Sequence, residues 1–283
     1  MANEFIPVAS TLWDPSTILL ATFLATIALF SLVWGIHVKI RDAGIVDFFW
    51  GPGFALVAWL TIALSGGGTT GTLLLAGLIT VWAVRLTAHM VWRHRHMDGE
   101  DARYAAMRRK GGPGWWWRSL FTLYWLQAAI QWVLGTPVHA SLFGRTEALS
   151  PALLYPGLAL FAAGMVLETV ADFQLWRFKA DPANRGRLMT EGLFAWSRHP
   201  NYFGETLVWW GFGLIAYADT GLVWALVGPA LITLLLLKVS GVTLLDTHLA
   251  ATKQGYADWA ARTPAFVPRR PRPADDRGAA AAE

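Results

Sequence analysis

The 283-residue chain has no cysteine, so disulfide bonds, thiolate metal sites and a cysteine nucleophile are excluded. It is also short of charge: 23 Lys and Arg with 19 Asp and Glu make up 15% of the residues, against roughly 25% in an average soluble domain. Too few charged side chains remain to clothe a surface that faces water on every side, and a hydrophobic content of 55% excludes disorder. No glycine-rich phosphate loop follows a strand pattern and no Gly-x-Ser-x-Gly elbow occurs, which removes the soluble dinucleotide fold and the serine-hydrolase turn. Nor does any segment repeat at a period of about 20–50 residues, so solenoids and other arrays are set aside.

What is present is long uncharged sequence. Apolar windows predict transmembrane helices over about 16–34, 45–64, 72–92, 119–144, 151–176, 206–218 and 220–237, the second and third parted by the turn-forming run Ser65-Gly66-Gly67-Gly68-Thr69-Thr70-Gly71. The expected fold is all-α, a polytopic membrane protein of about seven spans. Its 17 tryptophans suit two interfacial belts. The segments 39–41, 93–118, 177–198 and 253–277 hold two, seven, five and six basic residues, 20 of the 23, and Arg145 alone is left for the opposite side. By the positive-inside rule the amino terminus lies outside and the carboxyl terminus in the cytoplasm. Met1-Ala2-Asn3-Glu4 lacks a basic n-region, so no cleaved signal peptide is expected. Residues 1–268 read as one transmembrane domain, and 269–283, with Pro271, Pro273 and an alanine run, as a disordered basic and Ala-rich tail. Basic loops against anionic membrane lipid account for the net charge of +4, and no nucleic-acid partner is implied.

Ionisable groups at membrane depth are costly, and their default reading is a functional site or an internal partner for one. They are Asp47, Arg85, His89, Glu168, Asp172, Glu205, Lys238, Asp246 and His248. Arg85, His89 and Arg93 lie four apart on one helical face, as do Glu168 with Asp172 and Asn201 with Glu205. Most fall toward the helix ends assigned to the cytoplasm, which predicts a polar pocket opening on that side. Interhelical ion pairs and snorkelling side chains are the bland alternative. The densest polar stretch, 177–205, offers the cations Lys179, Arg185, Arg187 and Arg198 beside Asp181, Asn184, Glu191 and Asn201. Arginine forks and lysine charges suit phosphate, while carboxylates and amides suit ribose hydroxyls and base edges, so a nucleotide cofactor is expected here. His94-x-His96 followed by Asp98, Glu100 and Asp101 lacks a defined ligand frame, and no metal site is assigned.

The string Glu191-Gly192-Leu193-Phe194-Ala195-Trp196-Ser197-Arg198-His199-Pro200-Asn201-Tyr202-Phe203-Gly204-Glu205 resembles the signature of sterol and steroid reductases, which also appears in membrane methyltransferases acting on prenylcysteine or phospholipid. With Asp47-Phe48-Phe49-Trp50-Gly51-Pro52-Gly53-Phe54 and Gly255-Tyr256-Ala257-Asp258-Trp259, the chain most resembles the bacterial DUF1295 group of the steroid 5-alpha-reductase superfamily, over roughly the second helix to Pro268. The resemblance implies an enzyme of the bacterial inner membrane that takes NADPH and reduces a carbon–carbon double bond conjugated to a carbonyl, in a lipid-soluble substrate such as a steroid-like enone. It further implies cofactor contacts at Asp172, Arg187, Asn201 and Glu205, with Glu168 and Lys179 at matching but altered positions, and the polar residues Arg185, Arg198, His199, Tyr202, Asp246 and His248 are candidate contacts beside them. Lys179 stands where the steroid enzymes have arginine, and Glu168 where they have asparagine.

Reduction of an enone needs a hydrogen-bond donor that stabilises the developing enolate. The steroid reductases use a Gln-Glu pair on helix two and a tyrosine on helix three. Neither occurs in this chain, so the candidate donors are Asp47, buried and protonated, with Arg85 or His89 as a second donor and Tyr124 as another. A structural cap, or an ion pair of Asp47 with a basic group such as Arg41, is the structural alternative. An S-adenosylmethionine-dependent methyltransferase of a lipid or lipidated substrate is the competing enzyme reading. The cation count in 177–198 favours NADPH, with its extra phosphate, over it. A non-catalytic membrane protein or transporter is opposed by the one-sided polar groups and the lack of repeats.

Overall fold

The computed structural model describes residues 13–96, 99–144, 149–239 and 241–271. The amino end read for a signal peptide, Asp98, Arg145 and residues 272–283 of the expected tail lie outside them.

Helix α1 (Pro15–Ile40) begins where the Asp14 side chain accepts from the Thr17 N–H at 3.1 Å and Pro15 occupies the first turn. It ends where Arg41 turns left-handed, at φ 59°, and donates its N–H to the His37 carbonyl. One face buries Ile18, Thr22, Thr26, Phe30, Val33 and His37, yet the other exposes Leu20, Leu24 and Leu32. A helix apolar all round fits a hydrocarbon solvent rather than water. A 3-10 stretch (Ala43–Phe49) leads into α2 (Trp50–Leu64), and the glycine turn follows, with Gly66 at φ 76° and Gly67 at φ 132°. Then come α3 (Thr70–Arg95) and the short α4 (Ala102–Gly111). An α–π–α run joins α5 (Trp115–Ser119) through the π turn Leu120–Trp125 to α6 (Leu126–Leu134), and α7 (Thr136–His139) follows. The chain continues through α8 (Pro151–Ala180), α9 (Pro200–Thr220), α10 (Val227–Leu234), α11 (Val242–Thr252) and α12 (Tyr256–Arg262).

The fold is all-helical among the described residues. Among the described residues five segments are long and apolar enough to cross a membrane: Pro15–Ile40, Ala43–Leu64, Thr70–Arg95, Pro151–Ala180 and Val223–Thr252. The expected fourth and sixth spans are helical over 115–134 and in α9. Trp, Tyr and Gln in the first, and Asn201, Glu205 and Asp219 in the second, leave them outside that set.

Two compact units are formed, one of Met1–Leu158 with Gly211–Pro229 and one of Ala159–Trp210 with Ala230–Glu283. In the first, Phe30, Val33, Ala43, Val46, Tyr104, Leu123, Tyr124 and Ala128 form a core. Several tryptophans there serve as interhelical donors and not only as belt residues: Trp125 to Ser31 at 2.9 Å, Trp132 to Thr22 at 3.1 Å and Trp59 to Thr80 at 2.9 Å. An indole N–H in an apolar medium needs such a partner. At the other end of α3, the Asp219 carboxylate accepts from the hydroxyls of Thr69 and Thr72, adding a tertiary cap to the helix start.

In the second unit, α8 and α9 meet at glycines. A Cβ on Gly164 would lie 2.6 Å from the Gly204 carbonyl oxygen, and one on Gly204 would lie 2.6 Å from the Glu168 nitrogen. Only glycine permits that backbone approach, as in small-residue packing of membrane helices. Ala171, Phe194, Tyr256 and Trp259 form a small core beside it.

Candidate functional site

The glycine contact brings the polar face of α8 against the start of α9. Asp172, 8% exposed, accepts from the Asn201 side-chain amide at 3.2 Å. Glu168, one turn earlier, is buried, and Glu205, one turn later on α9, accepts from the Trp209 indole at 3.2 Å. Two of the three four-residue spacings in the sequence thus converge on one helix–helix seam. Beyond the end of α8 the loop is folded by its own polar groups. Asn184 donates to the Phe178 carbonyl at 3.1 Å and accepts from Arg187 at 3.1 Å, while Gln174 accepts from the Leu193 N–H at 2.9 Å. Lys179, Arg185 and Arg187 are exposed on this loop.

Arg198, His199 and Asp246 gather into a different cluster. Arg198 grips Asp246 at 2.6 and 3.3 Å and also donates to the carbonyls of Ala260 at 3.1 Å and Thr263 at 2.9 Å. His199, 1% exposed, meets the same carboxylate at 2.8 Å, and Tyr256 hydrogen-bonds it as well. Burial holds the His199 imidazole below its ordinary value against the pull of Asp246. Burial and the bond to Asp246 push the Tyr256 phenol up to about 12. Ser197 donates to the Phe266 carbonyl at 2.7 Å, and Arg269 donates its N–H to the Trp196 carbonyl at 2.9 Å. These groups strap residues 256–269 across the entry to α9. Tyr202 stacks on His199 with centroids 5.6 Å apart, and His248 is exposed on α11.

The first unit carries its own polar centre. A small cleft is lined by Gly44, Asp47, Phe48, Met90, Arg93, His94 and Asp101. Asp47 accepts from the Tyr104 hydroxyl at 2.5 Å and from Arg103 at 3.1 Å. Both its oxygens accept in this arrangement, and the cation beside it is Arg103 and not Arg41. A chain of bonds stands behind the pair: Trp50 donates to Gln127 at 2.7 Å, and Gln127 hydrogen-bonds Tyr104. Burial and the Asp47 charge raise the Tyr104 phenol above its ordinary value, which keeps it protonated. Asp101 lies against Arg93 at 3.2 Å and Arg103 at 3.0 Å. Burial alone would raise its carboxyl, and the bonds and charge of Arg103 more than reverse that, leaving it lowered. His94 pairs with Asp42 at 3.0 Å, whereas His96 turns back to the Trp92 carbonyl, so the His94-x-His96 motif does not converge.

Arg85 and His89 are half-buried on the α3 face that leads to Arg93. Tyr124 is fully buried in the core, its hydroxyl 3.4 Å from the Ala43 carbonyl, and the tyrosine that reaches Asp47 is Tyr104. Tyr104, Arg103 and Gln127 were missed by sequence reasoning. The only signal was an aromatic residue set between Asp101 and a run of arginines in a loop read as merely basic.

The family described as "Protein of unknown function (DUF1295)" matches residues 33–263. An uncharacterized protein of Schizosaccharomyces pombe is 29% identical over 209 residues, which cover 65% of this chain and 60% of that protein. A probable O-methyltransferase of Ustilaginoidea virens is 39% identical over 80 residues, 28% of this chain and 27% of its own length. The 3-oxo-5-alpha-steroid 4-dehydrogenase 1 of Mus musculus is 34% identical over 70 residues, 25% of this chain and 28% of its own. This chain therefore spans 60% of the yeast relative and under a third of the two named enzymes. No solved structure matches.

Proposed function

Since the chain belongs to the DUF1295 family, we propose that it is a membrane-embedded NADPH-dependent reductase of a conjugated carbon–carbon double bond in a lipid-soluble, enone-type substrate. The observation that carries this reading is the half-buried Asp172–Asn201 pair beside a loop exposing Lys179, Arg185 and Arg187. An acid and an amide at one seam suit ribose and base hydrogen bonds, and three exposed cations suit the phosphates of NADPH. When bound, NADPH supplies hydride. Asp172, Asn201 and Glu205 would hold its polar groups, and Arg187 with Arg185 and Lys179 its phosphates. Arg198, His199 and Asp246 act on this seam indirectly, by strapping the entry of α9 in place.

The first unit is read by itself, as a small polar cleft whose edge could meet a carbonyl group. Phe48 and Met90 give its cleft apolar walls, and Arg93 and His94 give it donors. A guanidinium or imidazole N–H beside a carbonyl oxygen stabilises negative charge that develops there. Asp47, fixed by Tyr104 and Arg103, sets the orientation of that polar edge. The seven-span arrangement with basic loops in the cytoplasm belongs to the same reading, because it gives a cytosolic nucleotide access to residues 177–198.

The methyltransferase relative favours a second reading, an S-adenosylmethionine-dependent enzyme acting on a lipid. The Asp172–Asn201 pair would serve either cofactor, but S-adenosylmethionine has no phosphate for the loop cations. Purified protein in lipid nanodiscs, supplied with NADPH and a panel of lipid-soluble enones, should consume NADPH with at least one of them. Methyl transfer from labelled S-adenosylmethionine to membrane lipid, with no NADPH consumption, would instead establish the second reading.

A further inference from the structure

From Ala102 to Gly144 the chain contains no aspartate or glutamate, while Arg103, Arg108, Arg109, Lys110 and Arg118 fall within 16 residues of one another. Two of these cations are engaged: Arg103 by Asp47 and Asp101, and Arg108 by Glu100 at 2.7 Å. Among the described residues no ion pair is found at Arg109, Lys110 or Arg118, and all three are exposed. Arg109 and Lys110 adjoin each other at the end of α4, and Arg118 lies over the Trp117 ring at 5.8 Å.

Exposed apolar groups surround these charges. Trp116 is 54% exposed and Trp117 48%, with Met107 and Phe121 similarly open. The Trp34 indole donates to the Trp116 carbonyl at 2.8 Å, which pins the aromatic cluster to α1 six residues short of its end. At 1.5 Å per residue that is about 9 Å inside the helix terminus. The chain passes here from a charged helix that needs water, through three tryptophans, into the apolar run of α6. That passage sets Trp115 to Trp117 at the level of the lipid headgroups.

We propose that Arg109, Lys110 and Arg118, framed by Trp116 and Trp117, form a binding site for the headgroup of an anionic phospholipid. A free phosphate would need the cations alone. The flanking indoles, Met107 and Phe121 add apolar surface that suits the upper acyl chain, and together the two features select a lipid over a soluble anion. Basic side chains at a membrane surface attract anionic lipid, so the three act as one favourable patch.

The test uses the full chain, purified and exchanged into an equimolar mixture of phosphatidylglycerol and phosphatidylcholine, with the co-retained lipid read by native mass spectrometry. The wild-type protein should retain phosphatidylglycerol in excess. The triple variant Arg109→Gln, Lys110→Gln, Arg118→Gln should lose about tenfold of that excess, and the double variant Arg109→Gln, Lys110→Gln, which leaves Arg118 over the Trp117 ring, an intermediate share. A control lacking three cations elsewhere, Lys253→Gln, Arg262→Gln, Arg270→Gln, should keep the preference. Equal retention in wild type and both variants, or an equal loss in the control, would overturn the site. Displacement of the lipid by inorganic phosphate or by a polyglutamate peptide would also overturn it, by reassigning the patch to a soluble anion or an acidic protein.

Discussion

At the scale of single residues, the polar groups separate into those that hold the protein together and those with hydrogen-bonding capacity left for a ligand. Arg198 directs its guanidinium to Asp246 and to two carbonyls of the carboxy-terminal strap, so its side chain fixes backbone first. Asn201, in contrast, spends one amide contact on Asp172 at a seam beside exposed cations. Asn201→Ala and Arg187→Ala are each expected to weaken NADPH binding by roughly tenfold in a titration while leaving the thermal midpoint close to wild type, about one net hydrogen bond apiece. Arg198→Ala should do the reverse, lowering the thermal midpoint most. In the first unit, Tyr104→Phe removes the donor that holds Asp47 from behind, and Arg93→Ala removes a donor from the cleft itself. Turnover should fall about 100-fold in Arg93→Ala, with cofactor affinity unchanged, if that guanidinium meets the developing oxyanion. Unaltered turnover would remove Arg93 from the cleft chemistry.

At the scale of elements, glycine decides where α8 and α9 may touch. Gly204→Ala places a methyl group 2.6 Å from the Glu168 backbone nitrogen, which neither helix can yield without sliding. A loss of about 1–3 kcal/mol in stability is expected from such overpacking, together with weakened NADPH binding as Asp172 and Asn201 are pushed apart. Asp219→Ala tests the opposite end of the first unit. It strands the Thr69 and Thr72 hydroxyls and removes an anion from the start of α3, so a stability loss of similar size is expected with cofactor binding intact. The apolar windows and the Ser65–Gly71 turn were legible because hydropathy and glycine act locally. The expected second span at 45–64 opens as a 3-10 stretch before α2, and the expected span 119–144 divides into an α–π–α run and α7. Such changes of helix type follow from packing against neighbours, which no local window records. The same reason hid Tyr104 and Gln127: their roles exist only through contact with residues 57 and 77 positions away, Asp47 and Trp50 respectively.

At the scale of the whole molecule, the scarcity of charge identified a membrane protein, and the few buried ionisable groups set its response to pH. His199 is held below its ordinary value by burial, so the folded protein resists a proton that the unfolded chain accepts below about pH 6.5. Stability should therefore fall as pH drops through that value, read as a lower thermal midpoint at about pH 5.5 than at about pH 7.5. The difference should shrink in His199→Gln, and a midpoint that rises on acidification would contradict the assignment. The central claim concerns the cofactor, and equilibrium binding addresses it directly. Purified protein in nanodiscs, titrated in parallel with NADPH and S-adenosylmethionine, should bind and be thermally stabilised by NADPH alone, and Asn201→Ala should weaken that binding. Stabilisation by S-adenosylmethionine with none by NADPH would contradict the reductase account.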